Sequence, residues 1–539
     1  MKPRMQPTAA GRLRRALAAA SAALLITPAA AAASDLSWLG SSQGADWSSG
    51  ANWSGGSAPS GSVTALTLPP LRTGCGGWTC AYGIDDIPAL TVGELQIDAA
   101  SGYLVSPLAA GDGISLTGGL SFSSAGTTAA GAPLNTAFTV PLTLAAPQSW
   151  NIAGVPGTAT TLQLGAVTGA RYALHVSLAD GVKLASPELD SGPLSIAGAG
   201  TVELSNPGPV QPVAGTALTP PPLLAPAGVS LASGASLTLT GEGTVSGPIT
   251  ITPGSASTLT LGPSSAPAAT LLSYGNVTLR ASSMLALSID APAATARARP
   301  AAGSDYAQLR VLGDLSLNGA TLTLTHGYTD TQVACAQLTP GQTYTLAIAT
   351  KLIGTFGGVA NGQAVGLGAC DPLAPTPTAL IIHYNTTTHP QTVTATVIGA
   401  PQIRTLVTAA LTLPARAATA AGLLHAGGYG AVYDAPAPGM LALTWTTRLR
   451  GRLLTVASAS NAADQVGPRR LAIRLTPAGR RILRALARAT HVPRSGRGRR
   501  ARRAPARTIT LTATATLTPN AQSPSTLTAL TVRRAIRIS

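Results

Sequence analysis

Four cysteines, a cluster of tryptophans and one arginine-dense stretch are the residues of this 539-residue chain whose types and spacing could do chemistry. Cys75 and Cys80 lie five apart in CGGWTC, and Cys335 and Cys370 lie 35 apart. Thiols at such spacings are disulfide partners in an oxidising compartment or metal ligands in a reducing one. No histidine stands near either pair at ligand spacing, so no metal and no cofactor is expected. Four cysteines allow three pairings. Cys75–Cys80 with Cys335–Cys370 is preferred, because each pair then stays inside one module of the chain.

Trp38, Trp47 and Trp53 are three of only six tryptophans. Interleaved with Gly, Ser and Asn, they sit in turns rather than on a helix. Such a cluster could stack on sugar rings, or it could plug the open end of a β-stack, and the plug is preferred. The arginines are Arg494, Arg497, Arg499, Arg500, Arg502, Arg503 and Arg507, in PRSGRGRRARRAPAR with no acidic residue among them. They create a strong local potential that suits a polyanion such as an anionic cell-wall or extracellular polymer. No aromatic residue is interleaved with them, so sequence-specific nucleic-acid reading is not expected.

Catalytic constellations are weak. Gly40-Ser41-Ser42-Gln43-Gly44 spells GxSxG, but lacks the strand before and helix after that a nucleophile elbow requires. Asp85 and Asp86 are adjacent, and on a strand they face opposite ways, whereas glycosidase carboxylates must face one gap. They suit a turn or Asx role instead. His383 and His389 read as surface residues. No P-loop, HExxH or helix-opening GxGxxG occurs. The expectation is a non-catalytic protein, and the alternative is a carbohydrate-active enzyme or carbohydrate-binding protein on a β-helix.

The elements that position these residues are short strands. Charged residues are only 10% and aromatics 4%, Gly and Pro number 59 and 42, and mean hydropathy is +0.28. That composition excludes a disordered chain and favours many strands punctuated by turns. Charge is unevenly placed: residues 1–34 hold five basic and no acidic residues, 35–402 hold eight basic and 17 acidic, and 403–539 hold 22 basic and two acidic. The break near 402 marks a module boundary.

Lys2, Arg4, Arg12, Arg14 and Arg15, then an apolar stretch and Ala31-Ala32-Ala33, read as a signal peptide over 1–33, hence a secreted or cell-surface protein. No later stretch reaches the ~18–20 apolar residues of a membrane helix. Residues 34–89 form a Trp-rich cap with the two-cysteine loop. Residues 90–300 repeat an alternating strand and a turn, as in LSIAGAGTVELS and SLTLTGEGTVSGPITIT, and suit a β-solenoid or a strand-repeat array. Residues 301–400 form a terminal β module, and 401–539 a basic domain carrying the Arg-rich loop 493–507. In that domain Thr476 as N-cap, Pro477 at N1 and the stripe Ile482, Leu483, Leu486 define one helix.

The pattern W…W…NWSGG-AP, with strand repeats after it, resembles the start of autotransporter-associated β-strand repeat proteins. With the stretch YGIDDIPALTVGELQIDAASGYLV it is similar to large secreted surface proteins of high-GC Gram-positive bacteria. Residues 303–397 resemble the terminal module of such repeats, which implies an all-β cap with Tyr306, Leu309, Val311, Leu315, Leu317, Leu322, Leu324, Tyr344, Leu346, Ile348, Phe356, Ile381 and Tyr384 in its core. Residues 423–539, with GGY, APxxG, LxW and LTxAGRRxLR patterns, resemble a C-terminal β-sandwich module of the same bacterial group, a module with no established activity. No membrane-barrel pattern follows, so the autotransporter export route is not implied. The fold expectation is therefore all-β: a solenoid or repeat array, a terminal cap, then a β-sandwich with one short amphipathic helix.

Overall fold

The computed structural model describes residues 35–40, 44–70, 81–98, 102–109, 111–123, 135–154, 159–205, 226–232, 234–262, 269–289, 300–303, 305–326, 338, 340–367, 379–411, 419–436, 439–463, 467–490, 508–519 and 530–538. The four cysteines, the seven arginines of 494–507 and the signal-peptide reading of 1–33 all lie outside the described residues.

From Asp35 to His326 the named strands pair in parallel and fall into three columns, the arrangement of a β-solenoid. One turn shows the path. Val182–Ser186 lies in the first column, Leu189 bridges Val167 in the second, Pro193–Gly198 lies in the third, and Thr201–Ser205 returns to the first. The first column stacks ten strands, from Tyr82–Asp85 to Thr321–His326.

Alternation explains the packing. Inward residues stack on like residues of the next turn, and one ladder runs Leu36, Leu66, Leu95, Leu120, Trp150, Val176, Ile196, Leu231, Ile251. Every member is buried, and each aliphatic one contributes roughly 1.5–3 kcal/mol of burial. The solenoid is filled by these ladders. Its turns differ in length, since Val176 to Ile196 takes 20 residues and Ile196 to Leu231 takes 35. That spread is why no fixed period is legible in the sequence.

The terminal module closes the stack by changing strand direction. Thr343–Ile353 pairs in parallel with Gln308–Ser316 on one edge and antiparallel with Gln391–Val397 on the other. Ala379–Asn385 and Gln363–Gly366 extend the antiparallel side. This covers an edge that would otherwise offer unpaired backbone to another chain. Most of the expected core is buried. Ile348 and Tyr384 are only partly buried. A register shift between Thr345 and Ala347 turns Ala347 inward in place of Ile348, the effect a bulge has on side-chain direction. The Tyr384 hydroxyl instead accepts from Phe356 N at 3.2 Å and donates to Val359 O at 2.9 Å.

The C-terminal part keeps the all-β character but is not a two-sheet sandwich. Six antiparallel strands form one sheet, in the order Gly428–Ala435, Gly467–Leu475, Arg452–Ala463, Gly439–Leu449, Ile509–Pro519, Leu530–Ile538. Helix α1 (Ala400–Ala410) touches both edge strands and takes the place of a second sheet. It contributes Ile403, Val407 and Ala410 to one core that also holds Leu443, Trp445 and Leu511. Helix α2 (Ala420–His425) and helix α3 (Pro477–Thr490) pack on each other.

Helix α3 is the helix expected from sequence. Thr476 Oγ1 accepts from Gly479 N at 2.9 Å, Leu483 is fully buried, and Ile482 and Leu486 flank it. The spacing of Ile403, Val407 and Ala410 after Pro401 marked α1 equally well, but Thr and Val dilute its helix propensity.

The charge break near 402 does not separate two cores. Ala364, Ala379, Ile381 and Ile398 of the terminal module belong to the C-terminal cluster.

Candidate interaction surfaces

The three N-terminal tryptophans are 1%, 0% and 1% exposed. Trp38 and Trp53 pair across an antiparallel bridge with ring centroids 5.0 Å apart, and Trp47 meets Trp53 at 5.5 Å, both edge to face. Trp47 also lies 6.2 Å from Phe138. Gly83 makes room for it, since a Cβ there would stand 2.9 Å from Trp47 Nε1. Asn52, fully buried, donates to Gly44 O at 2.9 Å and Asp46 O at 3.1 Å. No indole face is open to a ligand, so Trp38, Trp47 and Trp53 offer no platform for sugar stacking. The aromatic rings have little else to cover them at a stack end, and they cover each other.

Asp85 and Asp86 do face opposite ways. Asp86 accepts from Ser48 N at 2.8 Å on the surface. Asp85 points inward and is fully buried, with Oδ1 accepting from Ile87 N at 3.2 Å in an Asx-type turn and Oδ2 without a partner. Burial, with the charges of Asp112 and Asp86 adding to it, pushes its carboxyl up to about 6. Glu188 and Asp190 flank buried Leu189 and so share the outer side of one strand position. Burial raises both, and the Asp190 charge raises Glu188 further. Both approach from one side, whereas a glycosidase pair must flank the scissile bond. His383 and His389 are exposed. Among the described residues no group of three or more His, Cys, Asp or Glu could hold a metal ion.

The outer side of the third column is mostly polar, with exposed Asp35 and Glu94 at its N-terminal end. Two ladders run along it: Ser37, Thr67, Gln96, Ser121, Asn151, Ser177 and Ala197, and Ser149, His175, Ser195, Ser230, Thr250, Thr278 and Ser316. No carboxylate, lysine or arginine occurs in either ladder.

The C-terminal part carries the described arginines on its outside. Arg480, Arg481, Arg484 and Arg488 are exposed on α3, Arg533, Arg534 and Arg537 on the last strand, and Arg448, Arg450 and Arg452 at a hairpin tip. Against them stands one described acid, Asp434. A cleft of about 550 Å³ opens beside α2, lined by Tyr429, Arg474, Ile473 and the Gly427–Gly428 turn among others, with no carboxylate in its lining. The loop at 493–507 lies outside the described residues, and the hairpin tip is a second basic site whose signal in the sequence is RLRGRL, with glycine at the turn. Among the described residues no helix is long and apolar enough to cross a membrane.

Comparison with protein-family models, with characterised proteins and with solved structures finds no match.

Proposed function

We propose that this chain is a secreted, non-catalytic cell-surface or matrix protein, retained on anionic surface polymers through its basic C-terminal part. The observation that carries this reading is the outward placement of arginines on α3, the last strand and the hairpin tip, opposed by Asp434 alone among the described acids. Several exposed arginines acting together on a polyanion bind in a salt-dependent way. The solenoid fits a spacer role: its interior is filled, and two ladders of uncharged, mostly polar groups run along its third column. The likeness to autotransporter-associated repeats and to surface proteins of high-GC Gram-positive bacteria belongs to this proposal. The carbohydrate-active alternative draws less support, because the tryptophans are covered and Glu188 and Asp190 lie on one side.

The test uses the chain from residue 34 onward, because the C-terminal core includes side chains of the terminal module. It should bind purified anionic wall polymer and elute as salt shortens the ~8–10 Å screening length. Replacing the seven arginines from Arg494 to Arg507 by serine, together with Arg480, Arg484 and Arg488, should weaken binding while leaving thermal unfolding unchanged. Salt-insensitive binding, or binding untouched by these changes, overturns the electrostatic reading.

A further inference from the structure

We propose that the tip of the hairpin formed by Gly439–Leu449 and Arg452–Ala463 inserts into the surface of an anionic lipid bilayer. This rests on the reading that the C-terminal part carries attachment, and it names one partner for it.

The backbone leaves the tip paired only within its own hairpin. The two strands pair with each other to the end, with Leu449 opposite Arg452. Pairing of Gly439–Leu449 with Ile509–Pro519 stops at Thr446 opposite Thr512. On the other side, the ladder with Gly467–Leu475 holds only Ala457 and Ser458. A register shift between Trp445 and Thr446 falls just where the pairing with Ile509–Pro519 stops. Thr447 Oγ1 donating to Thr510 O at 3.3 Å ties its base. Residues 447–454 therefore have no ladder partner but each other, although Ile509–Leu511 still run alongside the first of them.

The side chains at the tip match a bilayer and no aqueous polymer. Leu449 is 49% exposed and Leu453 66%. Leu453 stands opposite Arg448, and Leu449 opposite Arg452, so each side of the tip presents one leucine and one arginine. Residues 439–463 contain no acidic residue. A wall polymer would satisfy the arginines and leave the leucines in water. A bilayer surface takes both, with acyl chains for leucine and phosphates for arginine. Single exposed leucines need no explanation, but two at one hairpin end among three arginines put apolar and cationic groups on both of its faces.

The turn points the same way. Arg450 has φ 50° and Gly451 φ 80°, the two positive angles of a tight hairpin turn whose first position favours Asn, Asp or Gly. An arginine there is set against backbone preference, and it stands at the end of the hairpin.

The experiment measures co-sedimentation of the full chain from residue 34 with vesicles of phosphatidylglycerol and phosphatidylcholine, with vesicles of phosphatidylcholine alone, and with purified wall teichoic acid. The parent should bind the anionic vesicles and not the zwitterionic ones. Leu449→Ser with Leu453→Ser should lower partition into anionic vesicles ~10-fold or more, as expected for losing two buried apolar side chains, and leave teichoic acid binding unchanged. Arg450→Gly, which suits the turn, should weaken vesicle binding with no loss of thermal stability. A Leu453→Trp variant should be quenched by brominated acyl chains. Undiminished vesicle binding by the double leucine variant, or no quenching, overturns insertion. Binding to teichoic acid but not to vesicles overturns insertion and leaves the attachment reading standing, and binding to neither overturns both.

Discussion

Trp53 donates its indole Nε1 hydrogen to the carbonyl oxygen of Trp47 at 2.8 Å, while the two rings stand edge to face. The contact couples a turn to the end of the solenoid, because Trp47 N itself donates to Ile84 O at 2.9 Å in the first column. The N-terminal cap is thus held by ring packing and a few buried hydrogen bonds.

Replacing Trp47 should test that coupling. Trp47→Ala is expected to destabilise the chain by about 3–5 kcal/mol, the range for removing a large buried aromatic. Trp47→Phe should lose much less, since Trp47 Nε1 is buried without a partner and phenylalanine removes that donor. Urea unfolding followed by tryptophan fluorescence and circular dichroism gives both values. Equal losses for the two variants would show that the orphan donor carries no penalty.

Asp85 makes stability depend on pH. Its carboxyl is raised from 3.8 to about 6 on folding, so the folded state holds the proton more tightly than the unfolded chain. The sign follows from linkage: stability falls as pH rises from about 4 to about 6 and stays lower above that. Asp85→Asn removes this effect. The variant should match the parent at pH 4 and exceed it at pH 8 by up to roughly 3 kcal/mol, the equivalent of about two pKa units. Melting temperatures of both proteins across that range decide it, and parallel curves would refute the assignment.

Gly479 should behave against helix propensity. An alanine inside a helix is ordinarily favoured over glycine by about 1 kcal/mol. Here a Cβ would lie 2.0 Å from the Val456 carbonyl oxygen, a backbone atom that cannot step aside. Gly479→Ala is expected to destabilise the C-terminal sheet and to shift α3 away from Arg452–Ala463. Thermal unfolding and hydrogen exchange at Val456 measure the two effects, and a gain in stability would contradict the close approach.

Much of the architecture was legible from local pattern. The alternation in LSIAGAGTVELS and its kin specified strands with one apolar side, because period two places every second side chain inward. Thr476 and Pro477 announced α3, because capping chemistry is local. The preferred plug reading of the tryptophans agrees with their burial, but the segment alone did not exclude a sugar platform. Trp, Gly and Ser in a turn-rich segment read alike whether the rings face a ligand or each other.

The sequence by itself determined short strands, a filled aliphatic interior, one capped helix and a basic C-terminal part, all of which follow from residue type and spacing along the chain. Only the tertiary structure decided the rest. It placed Leu36 through Ile251 in one ladder although the intervals between turns vary, because lateral register is chosen by which strands pair. It put α1 where a second sheet was expected, because an apolar sheet face accepts any element that covers it. It left residues 447–454 without a ladder partner beyond each other, because where neighbouring strands part depends on the twist and packing of the whole sheet and not on one strand's residues.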